Sequence, residues 1–326
     1  MPASAPQNAP ERARIRAAML DFDPYVPGLS AEEIRERYGV RRIVKLASNE
    51  NPLGTSPIVQ KRVAARANGC HIYPRNHSPE LAAALAARFG LAPERVILGN
   101  GSDEVIDLLL RVTAEPGRDH VLSYRHNFSV YRLTAKLCGV GYREVDRDDG
   151  LALPVKALAA AADERTALVF LTSPDNPTGH TVRAAEMAEL AAALPPRTLL
   201  VVDEAYVEFA EPEADHTLAR RLDEFPNVAV CRTFSKAYGL AGLRLGYGLL
   251  PPVVAEYVAR ARIPFTVNVL AQEAGLAALE DEVFLQVTLD TVRAGRARLR
   301  EGLTALGCEV LPSQANFLMF RSPAPA

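Results

Sequence analysis

Short, continuously apolar runs at residues 96–98, 121–123, 168–171, 199–202 and 228–231 alternate with Ala- and Leu-rich stretches of helical period through the middle of the chain. Strands this apolar are buried on both faces, which requires helices on each side of the sheet. The alternation predicts an α/β layer with a largely parallel sheet. After Pro251 the pattern turns helical over 253–262, 270–279 and 283–306, and two strands near 309–311 and 316–320 suggest a smaller α+β domain. At 326 residues the chain exceeds one typical domain. The expected division is an N-terminal arm over 1–48, a large domain over 49–262 and a small domain over 263–326. In the arm, Ser30 and Glu33 have capping-box spacing ahead of a short helix, followed by a strand-like 42–46. Ser78 and Pro79 read as N-cap and N1 of a helix that stops at Gly90.

Composition narrows the partners. A formal net charge of −2 gives no electrostatic footprint for nucleic acid or an anionic membrane. No apolar run approaches the ~20 residues of a membrane helix, and residues 1–10 lack the apolar core of a signal peptide. Cys70, Cys138, Cys231 and Cys308 form no CxxC pair, so neither a disulfide framework nor a zinc site is suggested, and a reducing, cytoplasmic setting is expected. None of His71, His77, His120, His126, His180 or His216 has metal-ligand spacing, so no metal is assigned. A small-molecule substrate is the expected partner.

Three segments carry chemistry. Gly99-Asn100-Gly101-Ser102-Asp103-Glu104 links a strand to a helix, and such a turn points free N–H groups and the positive dipole end at an anion. Alone it reads first as an ordinary strand-to-helix turn with Ser102 as N-cap. Asp203, Glu204 and Tyr206 follow the strand at 199–202, where open α/β sheets gather ligands; by position alone Asp203 could instead cap the next element or hold Mg²⁺. The third segment, from Arg232 to Tyr247, offers Ser235, Lys236 and Arg244 among glycines. Only five of the 37 basic residues are lysines; Lys61, Lys136 and Lys156 lie in helical contexts and Lys45 on a short strand, which leaves Lys236 the best-placed amine. Together these groups suit pyridoxal phosphate: an amine for the aldehyde, a carboxylate for the pyridine nitrogen, and N–H, hydroxyl and guanidinium donors for the phosphate.

Ser173-Pro174-Asp175-Asn176-Pro177-Thr178-Gly179 resembles the NPTG motif of class I/II aminotransferases, and Ser235-Lys236 with Arg244 resembles their cofactor-lysine signature. The order of the motifs agrees over roughly residues 20–320. Pro24-Tyr25-Val26-Pro27-Gly28, Ser48-Asn49-Glu50-Asn51-Pro52-Leu53-Gly54, Tyr73-Pro74 and the DEAYVEF form of Asp203 to Phe209 are similar to histidinol-phosphate aminotransferases in particular. The resemblance implies a fold type I, pyridoxal-phosphate-dependent transferase that exchanges the amino group between L-histidinol phosphate and 2-oxoglutarate. It makes Lys236 the Schiff-base residue and general acid/base, and Asp203 the partner of the pyridinium nitrogen. Asn176 and Tyr206 would bond the cofactor's 3-oxygen and Phe128 would stack on its ring. Ser102 and Asp103 N–H groups, the Ser235 hydroxyl and Arg244 would hold the phosphate. Tyr73 would reach the phosphate from a neighbouring subunit, implying a homodimer, and Tyr25 would contact substrate.

The family pattern continues past the strand matching 316–320 to an arginine for the substrate's α-carboxylate. Here Arg321-Ser322-Pro323-Ala324-Pro325-Ala326 follow, and Arg321 does not match it. Either a shortened gene model or weakened transamination is expected on that account, with exposed apolar surface on the small domain. Alternative activities on the same fold are an aromatic-amino-acid aminotransferase, a threonine-phosphate decarboxylase or a pyridoxal-phosphate-binding protein without turnover. A nucleotide-binding enzyme is disfavoured because no GxxxxGK[ST] run is present.

Overall fold

The computed structural model describes residues 15–20, 22–24 and 28–324. At its centre are β1 (Val96–Asn100), β2 (His120–Tyr124), β3 (Gly141–Val145), β4 (Thr166–Thr172), β5 (Leu199–Asp203), β6 (Val228–Thr233) and β7 (Leu245–Leu249). They form one sheet in the order β1-β7-β6-β5-β4-β2-β3. Every pairing from β6 across to β3 is parallel, and β7 alone runs against its neighbours. The largely parallel sheet expected from the apolar runs is thus the one that forms, and all five runs are strands.

The period of two along each strand divides the interior into two cores. Val169, Leu171, Leu200, Val202, Val228 and Val230 face one, while Leu168, Phe170, Leu199, Val201, Ala229 and Cys231 face the other. Helices α1 (Ala17–Leu20) and α2 (Ala31–Tyr38) precede the sheet. The first core is covered by α3 (Pro57–Arg66), α4 (Pro79–Phe89), α7 (Val155–Ala161), α8 (Ala184–Ala193) and α10 (Val269–Glu280). The second is covered by α5 (Ser102–Thr113), α6 (Val130–Cys138) and α9 (Pro252–Ala261). Ala271, Ala274 and Ala277 of α10 are fully buried in the first core, and a Cβ on Gly275 would meet Leu81 and Leu245. The expected boundary after residue 262 therefore separates α10 from the layer it packs on.

The long helix α11 (Glu282–Ala305) leads to a two-stranded ribbon, β8 (Glu309–Val310) with β9 (Phe320–Arg321). The strand expected over 316–320 shrinks to its end, because Ser313 folds the preceding segment into a turn: its hydroxyl accepts the Ala315 N–H and donates to the Phe317 carbonyl. β3 and β7 lacked a sequence signal. β3 is a half-exposed edge strand with polar residues, and β7 is interrupted by Gly246 and Gly248. An added Cβ at Gly246 would overlap Ser102 N, so β7 passes beneath the start of α5 at a distance only glycine permits.

At the N-terminal side the capping box forms, with Ser30 Oγ accepting from Glu33 N–H at 3.1 Å and Glu33 accepting from Ser30 N–H at 2.6 Å. The strand-like 42–46 is no strand: it finds no ladder partner, and Val44 and Leu46 lie exposed. Ser78 sits before Pro79 as expected but at φ 49°, and makes no capping bond; Gly90 closes the helix at φ 70°. Among the described residues no helix is long and apolar enough to cross a membrane.

Candidate active site

The parallel strands β4, β5 and β6 end at one edge of the sheet in Thr172, Asp203 and Thr233, and a cavity of about 660 Å³ opens there. Carboxyl ends of parallel strands are where loops diverge and leave room for ligand. Ser102, Asp103, Phe128, Asn176, Asp203, Tyr206, Ser235, Lys236 and Arg244 all line this cavity. Tyr73 does not. It is 79% exposed, stacks on Phe265 at 4.9 Å, and lines a separate surface hollow with Ile72. Tyr25 lies outside the described residues.

Asp203, only 2% exposed, is the buried end of β5. It accepts the Tyr131 hydroxyl at 2.7 Å and the Ala205 N–H at 3.2 Å. Burial, helped by the nearby Asp103, pushes its carboxyl up to about 6 despite the Tyr131 bond. A buried carboxylate with no cation against it favours a ligand that brings one. Tyr131 is itself fully buried, shares a 2.8 Å bond with Thr172 and stacks on Phe170 at 4.3 Å. Phe128 meets the Tyr131 ring edge-on at 5.6 Å and forms part of the wall.

Lys236 projects from the loop joining β6 to β7. Its Nζ donates to the Ser48 carbonyl at 2.8 Å and lies 5.6 Å from the Tyr206 ring centroid. Desolvation lowers its pKa, and Arg244 adds to this, while Glu50, Asp103 and Asp203 oppose it. Lowering a lysine's pKa favours the neutral amine, the form that acts as a nucleophile. Arg244 occupies the left-handed region at φ 52°, uncommon for a side chain of its size. That turn brings its guanidinium to 3.2 Å from Asp103, over Gly101. Gly101 is required by its φ of 84°; a Cβ there would also stand 2.6 Å from the movable end of the Arg244 side chain.

Gly101 is also the N-cap of α5 and offers no side-chain cap, so Ser102 is the first helical residue and not the cap. The first-turn N–H groups are left to an anion beside Arg244. Ser235 Oγ accepts from Thr233 at 2.9 Å on the same wall. Opposite, the Tyr206 hydroxyl accepts from Asn49 at 3.2 Å and from Asn176 at 3.4 Å. The turn bearing Asn176 is fixed from below by Asp175, which accepts from Tyr124 at 2.9 Å, Arg147 at 2.9 Å and Thr178 Oγ1 at 2.6 Å.

An amine, a buried acid, a guanidinium and a bare helix N-terminus around one cavity fit the aldehyde, ring nitrogen and phosphate of pyridoxal phosphate. Sequence reasoning missed Tyr131, Thr172 and the wall built by Ser48, Asn49 and Glu50. The wall had a signal in the Ser48 to Gly54 motif, whereas Tyr131 lies 72 positions from Asp203 and only the folded sheet joins them.

A family profile described as aminotransferase class I and II matches residues 41–326. The chain is 55% identical over 321 residues to a histidinol-phosphate aminotransferase of Nitratidesulfovibrio vulgaris, covering 98% of this chain and 86% of that protein. It is 50% identical over 309 residues to that of Oleidesulfovibrio alaskensis, covering 95% and 81%. Among solved structures, the histidinol-phosphate aminotransferase of Sinorhizobium meliloti in complex with pyridoxal-5'-phosphate superposes with a TM-score of 0.87 at 29% identity, covering 96% of this chain and 83% of that one.

Proposed function

Since the chain belongs to the class I and II aminotransferase family, we propose that it transfers the amino group of L-histidinol phosphate to 2-oxoglutarate, giving imidazole-acetol phosphate and glutamate in L-histidine biosynthesis. The observation that carries the reading is the convergence of Lys236, Asp203 and Arg244 on one cavity, in a chain whose relatives bear that activity in their names.

Pyridoxal phosphate, when bound, supplies an electron sink for the charge left at the substrate Cα once its proton is removed. Lys236 would hold the cofactor through its Nζ and, once released, take the proton from the substrate Cα; burial lowers its pKa and so favours the neutral amine. Asp203 would pair with the ring nitrogen, and its burial strengthens its pull on a proton there. Asn176 and Tyr206 would orient the 3-oxygen, and Phe128 would pack on the ring. Ser102 and Asp103 N–H groups, Ser235 and Arg244 bind the phosphate.

The functional assembly is a homodimer in which Tyr73 serves the neighbouring site. Support comes from its exposure beside exposed Ile72 and Phe265, an apolar patch of the kind a second subunit covers. The enzyme works in the cytoplasm, in keeping with four cysteines free of disulfides.

The test is the absorbance spectrum of the protein with pyridoxal phosphate, for wild type and Lys236→Ala, before and after L-histidinol phosphate. A band that requires Lys236 and is converted by the amine is expected. A band indifferent to Lys236 overturns the site, and one that L-histidinol phosphate leaves unchanged overturns the substrate.

A further inference from the structure

We propose that Glu50 is the substrate-specificity residue of this site, accepting the imidazole N–H of the donor. The inference rests on the function proposed above. An imidazole carries at least one N–H in either protonation state, so its recognition needs an acceptor, and a carboxylate is the strongest available. Three carboxylates line the cavity: Asp203, Asp103 and Glu50.

The first two are committed. Asp203 is buried and takes the Tyr131 hydroxyl and the Ala205 N–H. Asp103 faces Arg244 at 3.2 Å beside the bare end of α5. Glu50 is half-exposed; its Oε1 accepts from Lys45 at 2.9 Å, and no hydrogen bond to its Oε2 is present among the described residues. It lines the same cavity wall as Ser48, whose carbonyl takes the Lys236 amine at 2.8 Å.

The backbone that carries Glu50 is fixed. Ser48 and Asn49 both hold positive φ, at 70° and 52°. The Asn49 carbonyl accepts from Asn316 at 3.1 Å, and the Asn51 amide donates to the Ala237 carbonyl at 3.1 Å and to Thr288 at 3.2 Å. A carboxylate on so anchored a segment can discriminate between rings, because the acceptor is placed before substrate arrives. A phenyl ring offers it no donor and would leave Glu50 facing an apolar edge.

The experiment uses a matched pair of donors, L-histidinol phosphate and L-phenylalaninol phosphate, on the pyridoxal-phosphate-loaded wild type and Glu50→Met, which keeps the side chain's length and removes its acceptor. The ratio of their kcat/KM values is expected to fall by about ten- to a hundredfold in the variant, chiefly through KM for the imidazole donor. Calorimetric binding of the amine-free analogues 3-(imidazol-4-yl)propyl phosphate and 3-phenylpropyl phosphate should show the same change of ratio without turnover. Equal losses for both donors and both analogues would mean that Glu50 acts through Lys236 or the fold, and would overturn the proposal; an unchanged ratio would do the same. Failure of the wild type to use L-histidinol phosphate at all would instead strike the underlying reading, and is seen before any variant is made.

Discussion

The ends of β4 and β5 lie side by side, and each leads to a buried aspartate, yet the two acids are in opposite situations. Asp175, just beyond β4, is met by a guanidinium and two hydroxyls: Arg147, Tyr124 and Thr178. Arg147 is buried with it, lies 4.4 Å from the Tyr124 ring centroid, and also donates to the carbonyls of Arg125, His126 and Leu151. Asp203, at the end of β5, has one tyrosine hydroxyl and one backbone N–H, no cation in contact among the described residues, and a cavity in front of it. A buried acid whose partners are complete holds a turn in place, while one left without a countercharge is suited to a cation that arrives with a ligand.

The comparison is broken most directly by removing the cation from the complete pair. Arg147→Met leaves Asp175 buried and unpaired, and a loss of about 3–5 kcal/mol in urea unfolding is expected. The same charge logic predicts a different outcome at β5. Asp203→Asn removes a carboxylate that no cation contacts among the described residues, so stability should hold or rise while kcat/KM falls by roughly 10²–10³. Comparable destabilisation of the two variants would show that both acids belong to the frame.

Titration sharpens the contrast. The Asp203 carboxyl is raised from 3.8 to about 6 in the fold, so between about pH 4 and 6 the native state keeps a proton that the unfolded chain loses. Stability in the cofactor-free protein therefore falls as pH rises through that window, by roughly 3 kcal/mol, and changes no further above it. Glu208, also buried and raised to about 8, slopes in the same direction up to higher pH. The Asp203 part is isolated as the difference in unfolding free energy between wild type and Asp203→Asn from pH 4 to 7. Loading the site with a cationic ring should flatten that difference by restoring the ionised form; a pH-independent difference in the empty protein would contradict the burial argument.

Much of this was legible in the residues. Strands β1, β2, β4, β5 and β6 could be read because burial on both faces demands unbroken apolar runs. Lys236 stood out because the other lysines lay on helices or, at Lys45, in the arm. Asp203 and Arg244 stood at strand ends where a ligand needs charge. What escaped was set by contacts distant in sequence. β7 hides behind the glycines that let it pass under α5, and residues 42–46 look strand-like but find no ladder partner. Ser78 has the identity of an N-cap without its backbone angles. Tyr131 reads as one more apolar position on α6, and its role emerges only where α6 packs against the ends of β4 and β5.

Tyr131 therefore provides the finest test of the contrast. Its hydroxyl lies between Thr172 and Asp203 and is the single side-chain donor to that carboxylate among the described residues. Tyr131→Phe keeps the ring stacked on Phe170 and removes only the bond. Because that bond lowers the Asp203 pKa, its loss should drive the carboxyl further up. Pyridoxal phosphate affinity at neutral pH should then weaken by about three- to tenfold, in line with one hydrogen bond to a charged or polar partner. The deficit should narrow as pH rises and Asp203 ionises regardless. A deficit of the same size from pH 6 to 9 would show that the hydroxyl does not act through the charge on Asp203, and the absence of any deficit would assign Tyr131 to packing alone.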